Sequence, residues 1–207
     1  MGRTAGTRNP GYEDKRRALC GAVIPRLLES GSTASMRELA TAAEVSVPTL
    51  RHYFGDREGV VVAAMGEWMR RGRPYLEVTR QATRDGLRPS LMAMMATLLE
   101  GWRRFGVGRI YDTGLAMGLG HAVIGPSYVD HLLEPLLQAV EGRLQQHREW
   151  GELGDFDLRF AALSLVSPVV LALLHQDGLG GSGCRPLDME AFVGAHVDGF
   201  VRAYGCG

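Results

Sequence analysis

At 207 residues with 45% hydrophobic side chains, the chain can bury a real core, as one sizeable domain or as two smaller ones sharing a long helix. Its formal net charge is zero, yet residues 1–104 hold 17 Lys+Arg against 11 Asp+Glu while residues 105–207 hold 6 against 12, so the N-terminal half is set against an anionic partner. Cys20, Cys184 and Cys206 lack the paired spacing of a disulfide framework, no secretion signal opens the chain, and the apolar run Phe160 to Leu174 is too short to span a bilayer, so a cytoplasmic protein without a membrane segment is expected.

Residues 1–11 read as a flexible arm carrying Arg3 and Arg8. A first helix is predicted from about Tyr12 to Ser30, with Leu19, Ala22, Val23, Leu27 and Leu28 inward, Pro25 inside it, and Gly31 as its stop. Ser35 and Glu38 then form a capping box, each satisfying an amide of the first turn, and Met36, Leu39, Ala40 and Ala43 mark a buried face. After the turn Ala43-Glu44-Val45, Ser46 caps a second short helix with Pro48 in its first turn, where a missing amide hydrogen costs nothing. Gly55 ends that helix, and Asp56 caps a third that runs to about Arg71 with Val60, Val61, Ala64, Met65 and Trp68 on one stripe. Two short capped helices around a three-residue turn make a helix-turn-helix, whose usual partner is double-stranded DNA.

Beyond Pro74 the pattern stays helical. Leu87 to Trp102 and Tyr128 to Leu144 are amphipathic, and the Gly-rich stretch between residues 106 and 125 predicts a short or broken helix. Asp155 is placed as the cap of an apolar penultimate helix, and Asp188 as the cap of a last one bearing Phe192, His196 and Phe200. The fold class expected is all-α, a helix-turn-helix domain over residues 12–68 joined to a larger ligand-binding and dimerisation domain over residues 69–207.

The segment AEVSVPTLRHYFGDREGVV, with the helix order around it, resembles the TetR family of bacterial transcriptional repressors over about residues 12–65. The resemblance implies that Arg37, Val47, Pro48, Thr49 and Arg51 read base edges, while Ser35, Ser46, His52, Tyr53 and Arg57 hold the DNA backbone. Tyr53 as a core ring and His52 as a surface imidazole are the competing readings, and Arg3 and Arg8 either enter a minor groove or stay solvated. Val47 and Arg51 depart from the family pattern, so the operator sequence does not transfer.

The resemblance further implies a homodimer and a small apolar effector bound in the larger domain. Trp102, Tyr111, Met117, His121 and Tyr128 are the pocket candidates, each of which can also be plain core. Phe160, Leu163, Val166, Val170, Leu174, Phe192, His196 and Phe200 are the dimer-interface candidates, because the penultimate helix is apolar on more faces than one core requires. No hydrolase, zinc or nucleotide-binding motif is present, and no cofactor or metal is expected. A constitutive DNA-binding protein without an effector, or a small helical enzyme, remains the alternative.

Overall fold

The computed structural model describes residues 10–206, which form ten α-helices linked by short 3-10 and π turns, with one isolated antiparallel bridge between Leu153 and Gly205. They divide into two compact units. One holds the described residues through Arg71 together with Thr113–Tyr128, and the other holds Gly72–Asp112 and the described residues from Val129 onward.

In the first unit α1 (Pro10–Ser30), α2 (Met36–Ala42) and α3 (Val47–Phe54) pack with the start of α4 (Arg57–Arg80). The local signals act as predicted. Ser35 and Glu38 make the capping box, Ser46 accepts from the Thr49 amide, and Asp56 Oδ1 accepts from the Gly59 amide at 2.8 Å. The turn after α2 closes as a Schellman motif, with Val45 N–H donating to Ala40 O and Glu44 N–H to Thr41 O, both at 3.0 Å. This puts Glu44 at φ 52, a left-handed position that costs a non-glycine residue roughly 1 kcal/mol. Leu27, Leu39, Leu50, Val60, Val61, Ala64 and Met65 are fully buried between the helices, at about 1.5–3 kcal/mol for each large aliphatic side chain.

One proline effect differs from the sequence expectation. α4 does not stop near Arg71 but continues through Pro74 to Arg80. Pro74 is exposed, so water can take the place of the helix bond it removes. Pro25 is tolerated inside α1 for the same reason.

Helix α6 (Val107–Gly118) and the short α7 (Ile124–Tyr128) are the broken pair expected in the glycine-rich stretch. Thr113–Tyr128 groups with the N-terminal helices, so residues 69–207 are not one contiguous unit. Within that segment α6 and α7 approach closely, since a Cβ on Gly125 would stand 2.8 Å from Gly118 O, an approach that only glycine allows. The loop between α6 and α7 lies beside the first turn of α4, with His121 Nε2 3.8 Å from Glu58 Oε1.

The second unit contains α5 (Leu87–Arg104), α8 (Glu134–Glu149), α9 (Leu158–Leu173) and α10 (Met189–Tyr204), with π turns at Val129–Leu133 and Leu174–Gly178. Asp157, not Asp155, caps α9 by accepting from the Phe160 amide at 3.0 Å. Both aspartates suit a cap chemically, and Asp157 is the one that stands directly before the first turn at Leu158. Asp188 caps α10 as expected.

Candidate functional site

The residues expected to meet DNA all lie on the first unit. Ser35, Arg37, Ser46, Pro48, Arg51 and His52 are exposed, while Val47, Thr49, Tyr53 and Arg57 are half-buried. Ser35 is already engaged, because Glu38 Oε2 accepts from both its amide and its hydroxyl at 2.8 Å. Those bonds, with the ion pair to Arg26, hold the Glu38 carboxyl down at about 2, so the cap stays ionised at any physiological pH. Ser46 Oγ and Thr49 Oγ1 share a hydrogen bond of 2.8 Å at the start of α3. Tyr53 stacks on Tyr12, with centroids 4.8 Å apart, and meets His52 edge to face at 5.2 Å, so its ring belongs partly to the packing of α1 on α3. Arg57 also has a structural tie: its Nε donates to Ala34 O at 2.7 Å, joining the start of α4 to the loop before α2. Arg3 and Arg8 lie outside the described residues.

One residue of this unit was not singled out in the sequence. A Cβ on Gly59 would stand 1.9 Å from Phe54 O, so only glycine lets the end of α3 and the start of α4 approach this closely. The interval between Gly55 and Gly59 was the available signal.

The second unit holds an apolar cavity of about 250 Å³ lined by Tyr111, Leu133, Leu136, Leu137, Leu163, Val166, Ser167, Val170, Leu171 and Leu174. The Tyr111 hydroxyl donates to Leu132 O at 3.0 Å, so the wall that remains is almost wholly hydrocarbon, with Ser167 as its polar point. Of the five pocket candidates Tyr111 alone faces this space. Trp102 lines a second, polar cavity, and Met117, His121 and Tyr128 line neither. Met117 and Tyr128 are core side chains, and His121 uses Nδ1 to accept from the Val123 and Ile124 amides at 3.3 Å.

Neither a protein-family model nor a curated protein matches this sequence. Solved structures do. One assigned to the TetR-family transcriptional regulators of Mesorhizobium loti has a TM-score of 0.75 at 21% identity, over 97% of this chain and all of that one. A TetR transcriptional regulator from Agrobacterium tumefaciens gives 0.62 at 22% identity over 96% of each chain. The flavonoid-responsive regulator FrrA gives 0.68 at 20% identity, over 93% of this chain and 98% of its own. The chain has the fold of TetR-family regulators.

On this TetR-type fold the dimer-interface candidates separate into two groups. Phe160 and Leu163 are exposed on α9 with Leu171, and Val170, Leu174, Phe192 and His196 are half-buried. Val166 and Phe200 are 4% exposed, so they belong to the core of a single chain and cannot present their side chains to a second copy. The helical stretch Leu158–Gly178 is 21 residues long, longer than the sequence reading allowed, and its most apolar 18-residue window has a mean hydropathy of 1.8 with only a third of that window buried. It packs on α8 and α10 and carries Arg159, His175 and Asp177, as a helix of a bundle does.

The TetR-type fold also contains a polar network that no sequence pattern announced. His147 Nε2 lies 2.8 Å from Ser90 Oγ, and its Nδ1 pairs with Glu152. Ser90, His147 and Glu152 thus reproduce the connectivity of a hydrolase triad. The network is closed, however: Ser90 and His147 are 0% exposed, and Ser90 Oγ also accepts from Arg143 at 2.8 Å and from the Thr83 amide at 3.3 Å. No substrate carbonyl can reach this hydroxyl, so the arrangement serves as a tie. Arg143 donates to the carbonyls of Val78, Thr79 and Ser90 at 2.8, 2.7 and 2.9 Å, and Gln146 donates to Arg80 O at 2.8 Å. Side chains of α8 therefore cap the C-terminus of α4 in place of a local glycine.

Proposed function

We propose that the chain is a cytoplasmic TetR-type transcriptional regulator, a repressor that binds a palindromic DNA operator as a homodimer and is released by a small effector. The exposed row Arg37, Pro48, Arg51 and His52 on a helix-turn-helix carries the reading, because it offers base-reading and phosphate-holding groups together on an otherwise packed unit. Arg37 and Arg51 suit bidentate contacts to guanine, and Val47 and Thr49 offer methyl groups to thymine. Phe160, Leu163 and Leu171 form an exposed apolar face whose natural cover is the same face of a second copy, and a dimer would set two reading heads about 34–36 Å apart.

The apolar cavity supports an effector with a hydrocarbon or aromatic body and few polar groups. That a protein of the same fold is flavonoid-responsive supports a small organic ligand of this kind. An effector that lowers operator affinity tenfold needs a coupling of about 1.4 kcal/mol, and the operator must weaken effector binding by the same factor. The test is fluorescence anisotropy against operator and random duplexes over a salt series. Arg37→Ala is expected to cost about 1–3 kcal/mol at one base pair and relax its preference, while His52→Ala, which takes away a phosphate-holding group, should weaken all sequences alike. Equal losses on specific and random DNA for both variants would overturn the division of roles, and a protein sedimenting as a monomer at micromolar concentration would overturn the dimer.

A further inference from the structure

The apolar cavity of the larger unit has a buried floor and an exposed rim. Tyr111, Leu137 and Val166 at its floor are 4–8% exposed, whereas Leu163, Ser167 and Leu171 at its rim are open to water, Leu171 by 67%. These three rim residues are spaced four apart on α9, so they stand one above another on a single helix face. Phe160 and Ser164 share that face and are exposed as well. The opening of the cavity and the uncovered apolar face of α9 are therefore one surface. A ligand seated on the floor would keep part of its hydrocarbon in contact with water at this rim.

The exposed face is also self-complementary. Its residues pair about the midpoint between Leu165 and Val166: Phe160 with Leu171, Leu163 with Pro168 and Ser164 with Ser167, the largest side chains outermost and the smallest at the centre. Two α9 helices running antiparallel across a twofold axis there would set Phe160 of one copy on Leu171 of the other, with the serines letting the backbones approach. The ends of the helix complement one another in charge. The start of α9 exposes Asp155 and Asp157, its far end exposes His175, and Asp177 at that end is already paired with Arg103. An antiparallel pair sets the acidic start against the imidazole end and opposes the two helix dipoles.

We propose that the effector cavity is completed by a second copy of this chain, whose α9 closes the rim, so that the ligand binds the dimer and tightens it. The inference rests on the effector and dimer readings above and adds the link between them. Covering roughly 60 Å² of ligand hydrocarbon at the rim is enough for about tenfold tighter binding. Linkage carries the same factor back: with a ligand in each copy's cavity, saturation tightens the dimer by the square of that factor, about a hundredfold.

The experiment uses the full chain and N-phenylnaphthylamine, a neutral apolar dye whose emission rises when it leaves water. Sedimentation velocity over a dilution series gives the dimer constant of the wild type with and without saturating dye, and fluorescence titration gives the dye affinity of the wild type and of Phe160→Asp. Phe160 does not line the cavity, so this substitution removes the second copy and leaves the wall as it is. The dye should tighten the wild-type dimer about a hundredfold and bind the monomeric variant about tenfold more weakly. A dimer constant unmoved by dye, equal dye affinity in monomer and dimer, no dye binding by the wild type, or a Phe160→Asp chain that remains dimeric would each overturn the proposal. The wild-type sedimentation needs no variant, so a variant that fails to fold leaves the test standing. A monomeric wild type would sink the dimer reading itself, whereas a dimer indifferent to dye sinks only the link, and operator binding is measured separately.

Discussion

The two units are held at their helix ends by different means. In the first, every terminus near the reading helix is closed by a residue within five positions: Ser35 with Glu38, Ser46 with Thr49, Asp56 with Gly59, and the Schellman turn from Ala40 to Val45. In the second, the end of α4 is closed by Arg143 and Gln146, whose partners lie 53 to 66 positions away. The first unit can therefore form its motif before the rest of the chain is in place, whereas the second depends on complete packing. The two arrangements also fail differently: a local cap that is removed frays one turn, but a long-range cap that is removed leaves a buried charge site open.

Replacing Arg143 with Met sharpens that contrast most. It takes the charged donor away from the carbonyls of Val78, Thr79 and Ser90, and with several charge-assisted bonds lost together chemical denaturation should show a destabilisation of about 3–5 kcal/mol. If the effect is below about 1 kcal/mol, the network does not tie α8 to α4. Gly59→Ala attacks the first unit at a position where no relaxation of a side chain can help. The backbone must shift, and a destabilisation of about 3 kcal/mol with loss of DNA binding is expected by denaturation and anisotropy. Retained operator binding would show that the approach of α3 to α4 is adjustable.

Glu67 gives the smallest effect and a test by pH. It is 6% exposed, and Arg70 first, then Arg71, hold its carboxyl at about 2, well below the free value. A lowered carboxylate stabilises the folded state above the unfolded value near 4.3 and loses that contribution as pH falls toward 2. Both arginines are half exposed, so solvent screening reduces the pair energies, and Glu67→Gln should cost about 1–2 kcal/mol at pH 7. The gap between the variants should narrow below about pH 4 in a thermal melt series. A gap that stays constant with pH would assign Glu67 a packing role only.

Legibility in the sequence follows the same divide. The capping box at Ser35, the caps at Ser46, Asp56 and Asp188, and the break between α6 and α7 were readable because each is fixed by neighbours along the chain. The passage of α4 through Pro74 and the network of Ser90, Arg143 and His147 were not, because exposure and distant partners decide them. Among the residues that the resemblance assigns to DNA, Arg37 and Arg51 are exposed. Val166, Phe200, Met117 and Tyr128 are apolar residues that sequence periodicity cannot divide between core, cavity and interface.

Arg143 also sets a clock. A helix end normally opens and closes within microseconds, but the amides just beyond α4 are tied into the cluster around this guanidinium: Ala82 N–H donates to Gln146 Oε1 and Thr83 N–H to Ser90 Oγ. The four bonds that Arg143 makes cannot be released singly without leaving charge away from water. Deuterium is therefore expected to enter Ala82 and Thr83 when the cluster opens as a whole, at the pace of core amides and not of the loop that follows, which hydrogen exchange would check.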